Sequence, residues 1–440
     1  MSPAAADGLD LDVWGARDIA RAGATMVSQD GGGALLLNPA GLVRRTQLRM
    51  QFGMAFHGDS TGFRAANSHT TNSPDIENRA AALATPSLGI QGQLGPFVIG
   101  AAYIERGDLQ RSFPSPAFDQ LPSEVEQFFP HRYAGTDLRF QHHSFAAGIA
   151  IRANSWLGIG ISANVDQVNL TESRFIWAGF AGRDGLANPS RDLKLGLDGT
   201  DNFVLGGNLG ILIAPPQLPI EIALSASYSE DANFHGNAVL LSQRSAEFPN
   251  PEQIAPSAAA SLSAPLRLRA GLRFLGERFF IEANGEVGVF AGEHASPTWK
   301  LQGVFVRDET TTIAELSTVP SLIDRRSYAG ARASADVEVV SGFVWLTAGY
   351  AYRTAASRRG NVSAAFADFG GHTVAMGAEG QWNNMTLTIG YARFMQPART
   401  VTNSVVALPN PFDGGTTAIG NGRYTRTRDA FGAQLEVSWD

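Results

Sequence analysis

From Leu48 to the C-terminus, apolar side chains recur at every second position over stretches of about ten residues, and turn-forming residues separate the stretches. In the first of them Leu48, Met50, Phe52, Met54 and Phe56 share one face, with Arg49, Gln51, Gly53 and His57 on the other. Leu157, Ile159, Ile161, Ala163 and Val165 oppose Ser162, Asn164 and Asp166, and Ile220, Ile222, Leu224, Ala226 and Tyr228 oppose Glu221, Ser225, Ser227 and Ser229. Leu266, Leu268, Leu272 and Phe274 oppose Arg267, Arg269 and Arg273, and Phe431, Leu435, Val437 and Trp439 oppose Gln434, Glu436 and Ser438. Successive side chains of a strand point to opposite faces, so each stretch is a strand with one face free of charge.

The pattern predicts about fourteen strands, centred on residues 46–58, 84–94, 96–106, 136–152, 155–172, 199–214, 218–231, 256–275, 277–290, 324–341, 342–354, 370–383, 384–396 and 424–439. Short turns fall at Gly95-Pro96, Ala153-Asn154, Pro215-Pro216, Gly276-Glu277, Ser341-Gly342 and Asn383-Asn384. Between them run long loops over 59–83, 107–135, 173–198, 232–255, 291–323, 355–369 and 397–423. Strict alternation of short and long connections, with an even strand count, is the pattern of an outer-membrane barrel. Across a two-residue hairpin the apolar parity must invert, and it does so at Gly276-Glu277, Ser341-Gly342 and Asn383-Asn384. The same count sets Arg267 opposite Glu286.

Composition sharpens the choice between a soluble β protein and a barrel in lipid. At 440 residues the chain exceeds one ordinary soluble core, and only 17% of it is charged. An arginine or lysine at mid-bilayer on the outer face costs about 2–4 kcal/mol, and the uncharged registers contain none. No stretch of about 18 strongly apolar residues offers a helical span. A net charge of −7 without a Lys/Arg cluster excludes a nucleic-acid partner, and the absence of cysteine excludes disulfides and thiolate metal sites. The first twelve residues, MSPAAADGLDLD, have neither a cationic nor an apolar signal region, so the sequence reads as the mature form of an exported protein. The fold expected is all-β: a 14-stranded antiparallel transmembrane β-barrel in the bacterial outer membrane.

Gly23 to Leu42 fits none of this alternation. Gly31, Gly32, Gly33 and Gly41 permit backbone angles closed to other residues, and Pro39 biases Asn38 toward extended backbone. The segment reads as a compact plug, giving residues 1–45 as an N-terminal hatch inside the lumen and 46–440 as the barrel. A lumen of fourteen strands is wide enough for water unless something fills it.

The candidate chemistry is sparse. Arg267, Arg269 and Arg273 share the polar register with Glu282 and Glu286, and with Asp336, Glu338, Glu379 and Glu436 further round; they form either an ion-pair ladder that anchors a plug or, at Arg269 and Arg273, a bidentate grip on a ligand carboxylate. In the loop from Gly107 to Gly135, Phe113 precedes a capping-box spacing at Ser123 and Glu126, which places Leu121, Val125, Phe128 and Phe129 on one face of a short helix. That face either packs on neighbouring loops or receives an apolar ligand. His142-His143 cannot chelate together from one strand, and a bulge between Phe140 and Phe145 accounts for them. No metal site, cofactor site or catalytic arrangement can be assembled, so no enzyme is expected.

Arg21-Ala22-Gly23-Ala24, then Asp30, then Asn38-Pro39-Ala40-Gly41-Leu42 ahead of the first strand resembles the FadL/TodX family of outer-membrane hydrophobic-compound transporters, as does Asn421-Gly422-Arg423-Tyr424 before an aromatic last strand. The chain departs from that pattern at its end, where Trp439 is penultimate and Asp440 last. The resemblance implies a monomer in outer-membrane lipid that takes up fatty acids, other lipids, detergents or aromatic hydrocarbons. Asn38, Pro39, Ala40, Gly41 and Leu42 would form the gating hatch, and the solute would leave sideways through the wall. The alternatives are a porin for small polar solutes and an outer-membrane lipid-modifying enzyme.

Overall fold

The computed structural model describes residues 15–66, 75–114, 130–177, 192–242, 252–290, 295–307, 313–355, 357–358, 360–408 and 418–439. Fourteen antiparallel strands form a closed ring. They are β1 (Leu48–Ala65), β2 (Leu83–Leu94), β3 (Phe97–Ser112), β4 (Asp137–Arg152), β5 (Leu157–Trp177), β6 (Asp192–Ile213) and β7 (Ile220–Ser229), followed by β8 (Leu266–Leu275), β9 (Phe279–Val289), β10 (Tyr328–Val340), β11 (Val344–Thr354), β12 (Gly370–Trp382), β13 (Met385–Val401) and β14 (Gly422–Trp439). Each pairs with its neighbour in sequence, and β1 meets β14 from Leu48↔Trp439 to Ala65↔Gly422, which leaves no free edge. The outer wall carries Phe52, Ile161, Leu209, Leu224, Leu272, Leu346 and Leu387, all exposed. Such a surface suits hydrocarbon, as the alternation predicts.

The turns repay attention because they set register. Leu94 pairs with Phe97 across Gly95-Pro96, where Gly95 has φ +60, and Trp382 pairs with Met385 across Asn383-Asn384. At Gly276 the connection is longer than two residues: Leu275 pairs with Phe280, and the Gly276 N–H donates to the Phe279 carbonyl at 2.8 Å. The register therefore moves by two, so that Arg267 opposes Gly288 while Arg269 opposes Glu286. The predicted Arg267–Glu286 pairing is thus corrected, although a shift of two keeps every side chain on its expected face. Ser341-Gly342 also belongs to a longer turn, closed by Val340↔Val344, and an irregularity between Glu338 and Val340 restores the parity.

Two regions expected as loops carry strands. Ala232–Ser242 continues β7 and pairs with the outer half of β6, Glu252–Leu262 precedes β8, and Thr298–Arg307 pairs with Glu252–Leu262. The predicted strand 256–275 is accordingly two strands, interrupted at Ser263-Ala264-Pro265. The predicted bulge at His142-His143 also moves: β4 keeps its parity there, and the extra residue is Arg106 on β3, between Glu105↔His143 and Gly107↔His142. Because β2 begins at Leu83, the outer half of β3 is held on that side by Asn78, whose Nδ2 donates to Asp59 O (2.8 Å) and Gln110 O (3.3 Å) and whose Oδ1 accepts from Ser112 N (2.9 Å).

Candidate functional site

The segment from Gly15 to Val43 is buried at every residue. It contains α1 (Ala16–Ala20), α2 (Ala34–Leu37) and a 3-10 helix at Pro39–Arg44. Its partners are inward-facing residues from strands all round the ring, which places it within the lumen. Arg17 reaches Glu379 on β12 at 2.8 Å, Arg21 reaches Asp336 on β10 at 2.7 Å, and Arg44 reaches Glu221 on β7 at 2.6 Å. Glu282 on β9 accepts from the N–H groups of Val27 (2.6 Å) and Ser28 (3.1 Å). Asp30 gathers Arg17 at 3.0 Å, Arg45 at 3.1 Å and the wall residue Arg49 at 3.5 Å. Buried charges of this kind persist only when paired, so the pairs fix the segment's position rather than adding much stability.

The other half of the segment is held by packing. Leu35, Leu36, Leu42 and Val43 sit against Val98, Ala146, Ala150 and Leu212 on the inner faces of β3, β4 and β6. The Leu35 carbonyl accepts from Ser162 Oγ and from Asn208 Nδ2, the latter at 3.0 Å. Asn38 caps the 3-10 helix, its Oδ1 accepting from Ala40 N at 3.3 Å, and its Nδ2 donates to Ile211 O at 3.3 Å. Two wall glycines make this approach possible. A Cβ on Gly160 would lie 2.4 Å from the Pro39 carbonyl carbon, and one on Gly210 would lie 2.0 Å from Asn38 Oδ1. Asn38, Pro39, Ala40, Gly41 and Leu42 thus form the part of the segment seated against β5 and β6.

The remaining predicted residues do not converge on one site. Arg269 is paired with Glu286 and donates to Ser227 Oγ at 2.6 Å; Arg273 lies 3.5 Å from Glu221 and stacks over Phe280. Phe113 is buried in a cluster at the long-loop end with Phe63, Ile76 and Tyr424, 6.4 Å from the ring of His131. Leu121, Val125, Phe128 and Phe129 lie outside the described residues. His142 and His143 diverge, the first toward Asp166 (2.9 Å) and the second toward Tyr103 (3.0 Å). Among the described residues no group of acidic and histidine side chains could hold a metal ion.

Among the described residues, cavities lie at three levels along the lumen. The one at the long-loop end, about 690 Å³, is lined by Ile176, Leu316, Val319, Leu322, Val406 and Leu408, with Arg174, Glu315, Asp324 and several serines at its polar side. The one at the short-turn end, about 360 Å³, is walled by charges that include Arg17, Arg21, Asp336 and Glu379. Between them a narrow space of about 50 Å³ lies beside Arg106, Asp166, Arg267 and Arg325. Sequence reasoning missed this first cavity, because its lining comes from five separate outer segments, around 133–134, 174–176, 315–324, 361–363 and 405–408, whose meeting no local pattern reports.

The fold has known counterparts. The structure of a FadL homologue from Pseudomonas aeruginosa superposes with a TM-score of 0.77 at 12% identity, over 98% of this chain and 100% of that one. The toluene transporter TodX of Pseudomonas putida gives 0.69 at 14% identity, over 98% and 99%. The toluene transporter TbuX of Ralstonia pickettii gives 0.65 at 11%, also over 98% and 99%. No family model matches the chain, and no curated protein sequence does. With a closed ring of fourteen strands and an N-terminal segment in the lumen, the chain has the fold of the FadL and TodX outer-membrane transporters.

Proposed function

We propose that this protein is an outer-membrane channel for the uptake of hydrophobic small molecules, long-chain fatty acids or aromatic hydrocarbons among them. The observation that carries the reading is the combination of a cavity at the long-loop end, read as extracellular, whose one side is apolar (Ile176, Leu316, Val319, Leu322, Val406, Leu408), with a lumen occupied by residues 15–43. An apolar solute gains roughly 25 cal/mol per Å² by leaving water, so it collects in the outer cavity. The charged periplasmic side offers it nothing comparable, and a sideways exit into the bilayer does. In this reading residues 1–45 are a hatch domain and 46–440 the barrel, with the Asn38 to Leu42 stretch as the moving part. Phe113 and the 121–129 segment serve capture, Arg269 and Arg273 hold the wall or a carboxylate, and the channel acts as a monomer in outer-membrane lipid without cofactor or catalysis. The fold counterparts named as toluene transporters support the substrate class.

A hatch staple tests it. A Cβ on Gly148 would lie 2.7 Å from Leu35 Cδ2, so the pair Leu35→Cys and Gly148→Cys ties hatch to wall in a chain that has no other cysteine. In proteoliposomes the reduced protein should admit radiolabelled toluene or oleate and the oxidised one should not. Steady ohmic conductance in planar bilayers, as from an open porin, would instead favour passage of polar solutes.

A further inference from the structure

The cavity at the long-loop end is bounded on its polar side by residues 315–324, and β5 holds that segment in place. Glu172 accepts from Ser321 Oγ and from the Leu322 N–H, the latter at 3.0 Å. Arg174 donates from Nη2 to Glu172 at 3.2 Å and to the Pro320 carbonyl. The segment also pairs with Thr298–Arg307, through Glu315 and through Thr318–Pro320. Strand pairing and a buried ion pair therefore set the shape of this wall before a solute arrives.

Size selects first. A cavity of about 150 Å³ holds benzene, so a single aromatic ring would leave most of this space of about 690 Å³ unfilled and its lining short of partner atoms. Scaled from that case, the space suits a solute on the order of twenty to thirty heavy atoms. The apolar side, with Ile176, Leu316, Val319 and Leu408, requires most of them to be carbon.

Charge selects next. The described lining holds one cation, Arg174, and two carboxylates, Glu315 and Asp324. Glu172 already answers the Arg174 charge, whereas Glu315 is exposed and forms no ion pair among the described residues. Asp324 is 4% exposed; its Oδ1 accepts from Ser296 Oγ and lies 3.5 Å from Nε of Arg358. A carboxylate solute would add a negative charge where two already stand and the lining cation is taken, in surroundings less polar than water. A neutral oxygen meets no such penalty. Asp324 Oδ2 accepts no hydrogen bond and Arg174 Nε–H finds no acceptor among the described residues. Both atoms are buried, so leaving them unmet is costly, and a hydroxyl or carbonyl oxygen on the solute is suited to meet them.

We infer that this cavity selects a neutral, oxygen-bearing hydrocarbon of that size, an alcohol or ketone built on a long chain or several rings, and that Glu315 and Asp324 exclude carboxylate anions. This rests on the uptake reading above and narrows it, since fatty-acid anions become poor solutes. Asp324 accepts the solute hydroxyl, and Glu315 supplies the repulsive field.

Retinol and retinoate test the selection, because they share one carbon skeleton and differ in the charge of the head group. Binding to the full chain in nanodiscs of zwitterionic lipid is read by displacement of radiolabelled retinol, with protein-free nanodiscs as the blank. At neutral pH and low salt retinol should bind at least about tenfold more tightly than retinoate, and added salt should narrow the gap. Glu315→Gln should narrow it about threefold. Retinyl methyl ether, which has no hydroxyl proton, should bind about tenfold more weakly than retinol. Ala407→Trp fills the cavity from an exposed lining position and should abolish retinol binding, with retained heat-modifiable migration showing a folded barrel. Equal affinities for retinol and retinoate, with toluene or oleate still entering only when the hatch staple is reduced, overturn the selection and leave the uptake reading standing. Entry of none of the four through the reduced protein overturns both. Retinol binding undiminished in Ala407→Trp removes the site, equal binding of retinol and its ether removes Asp324 as the acceptor, and displacement of retinol by an equal concentration of toluene removes the size limit.

Discussion

His131 shows how one residue couples the cap at the long-loop end to pH. It opens the helix His131–Ala134 and is buried against Phe63 and Phe113, with Nε2–H donating to the Pro114 carbonyl at 2.9 Å. Burial pushes its pKa down to about 4, helped by the Arg132 charge and opposed by that hydrogen bond. As pH falls through about 6.5 the unfolded cap takes a proton that the folded cap refuses, so stability declines from there and levels off below about 4, for a total on the order of 3 kcal/mol. Hydrogen exchange across residues 130–136 should accelerate over that window, and His131→Gln should flatten the response. A different single-residue effect operates at Gly210, where a Cβ would meet both Asn38 Oδ1 and Pro39 Cδ. Gly210→Ala should displace the hatch and lower thermal stability by about 1–3 kcal/mol, whereas Gly207→Ala, with backbone alone at 3.3 Å, should do little. The role of Gly210 was not legible in the sequence, because alternation records an inward-facing position without recording what approaches it. The Arg269–Glu286 pair shows a subtler limit: parity fixed the face of both residues, while the length of the Gly276 turn, which parity does not report, fixed the partner.

Among the elements, the hatch and the outer strands illustrate opposite degrees of legibility. The hatch stood out because its glycines and Asn38-Pro39 break every period around them; of the carboxylates that the sequence offered as an ion-pair ladder anchoring a plug, Glu282, Asp336 and Glu379 bond the hatch, while Glu436 pairs with Arg49 of the wall. The outer strands were hidden by a coincidence of physics. Ile220 to Leu240 keeps apolar residues at most even positions throughout, yet the lower ones face lipid and the upper ones face the interior. One unbroken hydrophobic phase thus spans a real break in the ladder, and Ala232–Ser242 read as loop. The hatch's arginines supply the prediction at this scale. Asp30 is the only acid within salt-bridge reach of both Arg45 and Arg17 on the segment itself among the described pairs, and Arg49 joins it from β1. Asp30→Asn leaves these cations under-neutralised in a buried site and should cost about 3–5 kcal/mol if they stay in place, or less if the hatch loosens. Limited proteolysis near Arg44 and Arg45 distinguishes the two, since a loosened hatch becomes cleavable while the barrel remains intact.

For the whole molecule, the ring count and the alternation of turn lengths were legible because a barrel in lipid must satisfy every backbone group between strands and present one apolar face, and both demands repeat in each strand. The same demand yields a depth-dependent prediction. Ile389 lies on the outer wall of β13, four residues beyond Met385 at its inner end, while Trp439 lies at the rim where β14 meets Leu48. At about 3.4 Å per residue and a tilt near 40°, Ile389 stands roughly 10 Å inside the rim, close to the middle of the apolar band. Ile389→Arg should therefore destabilise the barrel folded in lipid vesicles by about 2–4 kcal/mol, and Trp439→Arg by about 1 kcal/mol or less beyond its loss of packing. Urea titrations of the two variants in the same vesicles give the comparison. Equal penalties at both depths would mean that the exposed apolar wall meets something other than a bilayer, and with it would go the sideways exit of the uptake reading, which has a destination only if hydrocarbon surrounds the ring.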